Sequence, residues 1–229
     1  MLNVQKHKTI LLQILKDTYA DISIAAALGF KGGTAGFLFY NLPRFSVDLD
    51  FDLLNAEKAD LVFEKIGHIL QDYGKIKERY IKKNTLFYLL SYEEGTRNVK
   101  IEISLRNFGS AYEIKNYLGV SMLVMKQEDM FANKLLALLG RRQIANRDLY
   151  DIWFFLQNRW NVNEKVIEAR TDMTLKNYLK KIIKFIENIN TKYILAGLGE
   201  LLDEKQKSFV KEKLKEEVLF LLKLKVREI

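Results

Sequence analysis

Lys31-Gly32-Gly33-Thr34-Ala35 and, shortly after it, Arg44-Phe45-Ser46-Val47-Asp48-Leu49-Asp50-Phe51-Asp52 decide how this chain is read. The second stretch alternates. Side chains on a strand point to opposite faces in turn, so Asp48, Asp50 and Asp52 share one face, and Val47, Leu49, Phe51 and Leu53 the other. Three like charges in a row on one strand face repel each other and stabilise no fold by themselves. A cation between them removes that cost, and a hard divalent ion such as Mg²⁺ prefers carboxylate oxygen. Asp48 and Asp50 have the spacing at which two carboxylates touch one ion or share two. The glycine pair upstream lets backbone N–H groups come close to a phosphate. Phosphate and divalent cation side by side point to nucleotide chemistry. The competing reading, an edge strand guarded by charge, leaves the Gly-Gly-Thr turn unexplained.

A third acid on a neighbouring strand usually completes such a site. The candidate is Glu102, in Val99-Lys100-Ile101-Glu102-Ile103. It is equally readable as a solvent-facing strand residue, since Lys100 and Ser104 share its face. Asp52 is either a more distant ligand or the point where the strand leaves the core.

The rest of the chain divides by character near residue 125. Leu11, Leu12, Ile14 and Leu15 indicate an opening helix that ends before Gly29. The Gly-Gly turn, a short helix through Phe37 to Tyr40 and the aspartate strand near 47–54 follow. Residues 57–73 carry Leu61, Val62, Ile66, Ile69 and Leu70 at helical spacing. Strands are expected over 76–83, 85–92 and 98–105, with further β-structure over 111–125 broken at Gly119. Beyond 126 the patterns are helical: 126–139, 148–156, 174–189 and 204–225. The expected domains are therefore an α/β lobe over 1–125 and a helical lobe over 126–229, with a ligand in the cleft between them.

The 229 residues are enough for one large domain or two lobes with a real core. Absence of cysteine excludes disulfides and Cys-based zinc sites. His7 and His68 are the only histidines and stand far apart, which argues against a His-based metal site or a Ser-His-Asp triad. The opening residues do not read as a secretory leader, and no run reaches the roughly 20 apolar residues of a membrane span, so the expected location is the cytoplasm, away from membranes. Net charge is +8, unevenly spread: 16 Lys/Arg against 14 Asp/Glu in 1–125, and 21 against 15 in 126–229. A basic C-terminal half suits a polyanion such as nucleic acid, and equally a solvated lysine-rich helical surface.

A glycine turn, a short helix and then Arg-Phe-Ser-x-Asp-Leu-Asp resembles the signature of the polymerase-β-type nucleotidyltransferases. Within them, Lys31-Gly32-Gly33-Thr34-Ala35 and Arg44–Asp50 resemble the AbiEii/AbiGii abortive-infection toxins. A second block agrees: Lys134-Leu135-Leu136-Ala137-Leu138, then Arg141 or Arg142, then Arg147-Asp148-Leu149-Tyr150-Asp151-Ile152, similar to the family's K-L-x-A-L … R-D-x-x-D. The resemblance covers residues 25–160. It implies an α+β fold: a polymerase-β-like lobe, a mixed sheet flanked by helices, followed by an all-helical C-terminal lobe. It implies a toxin of a type IV toxin–antitoxin system that moves NMP from an NTP to an acceptor hydroxyl, with the 3′ end of tRNA as the leading acceptor and a cognate antitoxin as a partner. Asp48 and Asp50 would bind Mg²⁺. Gly32, Gly33 and Thr34 would cradle the phosphates, and Lys134 would neutralise the triphosphate. Asp148 or Asp151, one helical turn apart, would fill the last functional position. Asp148 also reads as an early-turn acid paired with Arg147 or Arg141. Arg44 could touch phosphate or fix the aspartate strand. Trp153, Phe154 and Phe155 read as core.

Rival chemistries are transfer to a protein hydroxyl (AMPylation) or to a small molecule, and binding of nucleotide or RNA without turnover. The aspartates argue against the last, because without a metal they would repel phosphate.

Overall fold

Alternation builds the centre of the sheet. The computed structural model describes residues 3–141 and 145–229, and in it β2 (Asp48–Leu53) carries Leu49, Phe51 and Leu53 inward while Asp48, Asp50 and Asp52 stay partly open. Its neighbour β5 (Val99–Ser104) repeats the pattern, with Val99, Ile101 and Ile103 buried and Lys100, Glu102 and Ser104 on the open face. Together with β1 (Leu28–Lys31), β3 (Lys75–Lys82), β4 (Thr85–Ser91), β6 (Tyr112–Tyr117) and β7 (Val120–Met125) they form a sheet of order β3-β4-β5-β2-β1-β7-β6. β2 pairs parallel to β5, and β1 parallel to β7; the remaining pairs are antiparallel, so the sheet is mixed.

The apolar face of the sheet is covered by α1 (Val4–Ala20) and α3 (Ala59–Gln71). Tyr19 of α1 meets Phe51, and Phe63 of α3 meets Tyr88 of β4. α2 (Gly32–Phe39) follows β1 directly and packs against β1 and β2. These elements make one compact unit, Met1–Lys126.

The second unit, Gln127–Ile229, is helical among the described residues. It contains α4 (Gln127–Gly140), α5 (Asn146–Gln157), α6 (Glu164–Thr171), α7 (Leu175–Glu187), α8 (Glu204–Glu212) and α9 (Leu214–Glu228). α7 shows why these residues make a helix that packs: Tyr178, Leu179, Ile182, Ile183 and Ile186 recur on one buried face, and Thr174 caps its start by accepting from the Asn177 N–H. α5 packs on α4 and α9, and Phe155 lies flat against Trp160, ring centres 4.1 Å apart. Among the described residues no helix is long and apolar enough to cross a membrane.

The fold class is α+β, as expected. Four local readings differ from the structure. Strand β1 was not anticipated: it has four residues, one a glycine, too few for alternation to show. The Gly-Gly pair is not a turn ahead of a helix but the first turn of α2 itself. Helix α6 was missed. The single helix expected over 204–225 is two, broken at Lys213 (φ −130°, ψ −24°), where no glycine or proline marks the break.

Candidate active site

The two halves of the opening motif meet. Gly32 has φ +79°, a conformation side-chain-bearing residues rarely adopt, and a Cβ there would lie 2.5 Å from Asp50 Oδ2. A Cβ on Gly33 would lie 2.8 Å from both Arg44 Nη2 and Ser46 Oγ. Backbone conformation and close approach both call for glycine at 32, and Gly33 lies against Arg44 and Ser46: the start of α2 lies directly against the side chains of the aspartate strand and its leading loop. Lys31, at the N-cap of that helix, makes no side-chain capping hydrogen bond among the described residues. Thr34, 3 % exposed, donates its hydroxyl to the carbonyl of Asp48 and so ties helix to strand. Arg44 is likewise buried and donates to the Phe45 carbonyl while packing on Gly33.

Register sets the acids. Asp50 lies opposite Glu102, and Asp48 opposite Lys100. Lys100 Nζ stands 3.1 Å from Glu102 Oε2, 3.9 Å from Asp50 Oδ1 and 4.0 Å from Asp48 Oδ2. Burial pushes the Lys100 ammonium down, but Asp50, Asp48 and Glu102 outweigh it and hold it above the ordinary lysine value. Asp52 is engaged elsewhere: Lys31 Nζ pairs with one oxygen at 2.5 Å, and the Tyr112 hydroxyl donates to the other. Among the described residues no group of three or more His, Cys, Asp or Glu stands close enough to hold a metal. Asp48 and Asp50 offer hard oxygen donors on one face, and a Cβ on Gly32 would crowd Asp50 Oδ2. That donor set fits a divalent cation of the Mg²⁺ type.

The row running from Asp50 through Glu102 continues to Phe87 of β4 and Tyr80 of β3. These two rings stack at 4.6 Å and 9°, with Lys82 Nζ 4.4 Å from the Tyr80 ring centre.

Behind the strand, buried His7 bonds the Val47 carbonyl through Nε2 and the Tyr92 hydroxyl through Nδ1, both at 3.0 Å. A carbonyl only accepts, so Nε2 carries the proton and Nδ1 accepts from Tyr92. Burial lowers the His7 pKa, which keeps the ring neutral.

The second block folds as its own cluster in the helical unit. Lys134 Nζ stands 2.9 Å from Asp148 Oδ1 and 2.9 Å from Asp151 Oδ2. Both carboxylates are fully buried, and Arg141 Nη1 lies 3.2 Å from Asp148 Oδ2. Both acids the sequence left open thus converge on one lysine. Arg142 lies outside the described residues. Phe155 is core, as expected, while Trp153 is half-buried and packs on Phe209 at 4.6 Å.

Sequence reasoning found the glycines and the acids but gave Lys100, Lys31 and Tyr112 no role. A signal existed for Lys100: it sits two residues before Glu102, on the same strand face.

A solved structure of a proposed nucleotidyltransferase from H. pylori is 21 % identical, with a TM-score of 0.62, over 98 % of this chain and 95 % of that one. JHP933 from Helicobacter pylori is 22 % identical, with a TM-score of 0.65, over 100 % and 94 %. At this identity they establish the shared fold. No curated protein matches. The family model described as nucleotidyl transferase AbiEii toxin, type IV TA system, matches residues 13–219. The matched region contains both the Gly-Gly-Thr/Asp-x-Asp cluster and the Lys134 cluster, and the chain belongs to the AbiEii nucleotidyltransferase toxin family.

Proposed function

We propose that this nucleotidyltransferase is Mg²⁺-dependent and places NMP from an NTP on the 3′ end of an RNA, with tRNA as the acceptor. The observation that carries the reading is the contact between the start of α2 and the aspartate strand, where Gly32 is pressed against Asp50 and Thr34 is bonded to Asp48. It puts a helix start with backbone N–H groups beside hard carboxylate donors, the pairing that triphosphate chemistry needs. Asp48 and Asp50 hold the metal, which supplies charge neutralisation at the reacting phosphates. Gly32, Gly33 and Thr34 receive the leaving phosphates through backbone N–H groups, because the Thr34 hydroxyl is committed to Asp48. Arg44 fixes the loop that leads into the strand and adds positive charge beside Gly33.

An RNA acceptor is supported by two features. The helical unit carries most of the chain's positive charge. The stacked Phe87 and Tyr80, in one row with Asp50 and with Lys82 beside them, offer aromatic surface and cationic charge of the kind that binds unpaired bases. The cognate antitoxin is the expected partner and the cytoplasm the expected compartment.

The test is transfer of label from α-³²P-NTPs, each nucleotide in turn, to total tRNA and to total protein, with RNA 3′-end sequencing of the product. Extension of tRNA 3′ ends is expected, abolished by EDTA. Label on protein alone would replace the RNA reading with AMPylation, and no transfer to either would leave only binding.

A further inference from the structure

We propose that Lys100 is a resident cation of the carboxylate site: its ammonium takes the place of a second divalent ion, so that Asp48 and Asp50 hold one. This rests on the reading of those aspartates as metal ligands, and it departs from the two-ion arrangement their spacing alone allows. Three observations carry it.

The first is position. Lys100 is fixed by the parallel register directly opposite Asp48, and its Nζ lies within 4.0 Å of Asp48, Asp50 and Glu102 together. The second is charge. Three carboxylates contribute −3 and the ammonium returns the cluster to −2, which one divalent ion neutralises. A second doubly charged ion bridging Asp48 and Asp50 would stand about as far from the ammonium as the carboxylates do, and would be repelled by it. The third is the fate of Glu102. The acid that would complete a two-ion site accepts a hydrogen bond from Lys100 at 3.1 Å and is thereby drawn to the lysine. Among the described residues no set of three acids remains close enough for a metal. Lys31, the neighbouring lysine, is taken by Asp52 at 2.5 Å and leaves this role to Lys100.

Lys100 also accounts for a difficulty posed by the sequence. A comb of aspartates needs a cation to be tolerated on one strand face, and here the adjacent strand provides a permanent one. The strand can fold before any metal arrives, and the metal then completes the neutralisation.

The experiment counts Mn²⁺ bound to the full chain, by the electron paramagnetic resonance signal of free Mn²⁺, without nucleotide. Thermal unfolding is followed over the same titration. Wild type and K100R are expected to bind one ion. K100M is expected to bind a second ion, or the first at least about tenfold more tightly, with a larger rise in Tm on adding Mg²⁺ than wild type shows. Two ions in the wild type overturn the proposal, and this holds even if K100M fails to fold. Equal count and affinity in wild type and folded K100M overturn it as well. The underlying metal reading fails with a different signature: Mn²⁺ binding that D48N and D50N leave unchanged. No bound Mn²⁺ in any variant sinks both.

Discussion

Two lysines, each set among carboxylates, sit in the two units of this protein, and their surroundings differ. Lys100 faces three acids on an open sheet face, where the side chains of Asp48, Asp50 and Glu102 are 14 %, 29 % and 40 % exposed. Lys134 faces two acids that are fully buried, with Arg141 close to one of them. The sheet cluster keeps a net negative charge on side chains that are partly exposed. The helical cluster is neutral within itself, the condition for surviving burial. Similar residues thus make a partly open, negatively charged face in one unit and a buried ion network in the other. A buried network contributes little net stability, but breaking it is costly because an uncompensated charge remains inside.

The comparison breaks most visibly at Lys134. K134M removes the ammonium shared by two buried carboxylates and should destabilise the protein by about 3–5 kcal/mol, read as a lowered denaturant midpoint. K134M/D148N/D151N, with the charges removed together, should recover a large part of that loss. A K134M as stable as wild type would mean the helical cluster is not a closed network. D48N should act oppositely: transfer falls at least about a thousandfold, near 4 kcal/mol of barrier, while stability holds or rises because a repulsion is relieved. G32A should cost about 1–3 kcal/mol of stability from its left-handed backbone, with transfer reduced further because the new Cβ meets Asp50. T34V removes the hydroxyl bond to Asp48 and should cost about 1 kcal/mol. It should retain much of the transfer if the phosphate contact is made by backbone.

A smaller effect concerns pH. The folded-state pKa of His7 is lowered from 6.5 by burial, so the unfolded chain takes up the proton first. The stability it contributes is complete above pH 6.5 and is lost as pH falls from there through the folded value. H7Q should flatten that part of the stability–pH curve, measured by denaturant unfolding between pH 5 and 8. An unaltered curve would remove His7 as its source.

How much could be read in advance follows from how local each feature is. Alternation over Val47–Leu53 and over Val99–Ser104 is a property of consecutive residues, so both strands and the side chains on their open faces were legible. So were the amphipathic faces of α3 and α7. The grouping of Lys100 with Asp48 and Asp50 was not, because it depends on β2 and β5 pairing in parallel across some fifty residues. For Asp52 the sequence leaves a distant ligand and the end of the strand both open, and the partners that settle its surroundings, Lys31 of β1 and Tyr112 of β6, come from other strands. Strand β1 gave too short a signal to read. The choice between Asp148 and Asp151 could not be made from sequence for a physical reason: one turn apart on α5, both reach the same ammonium.

The central claim is that the open carboxylate cluster carries the transfer reaction while the buried one holds its own lysine. The most direct measurement is transfer of label from α-³²P-NTP to tRNA in Mg²⁺ by wild type, D48N and D50N, each confirmed folded by circular dichroism. Both variants are expected to keep the wild-type fold and lose transfer. Transfer at the wild-type rate by a folded D48N or D50N would contradict the account.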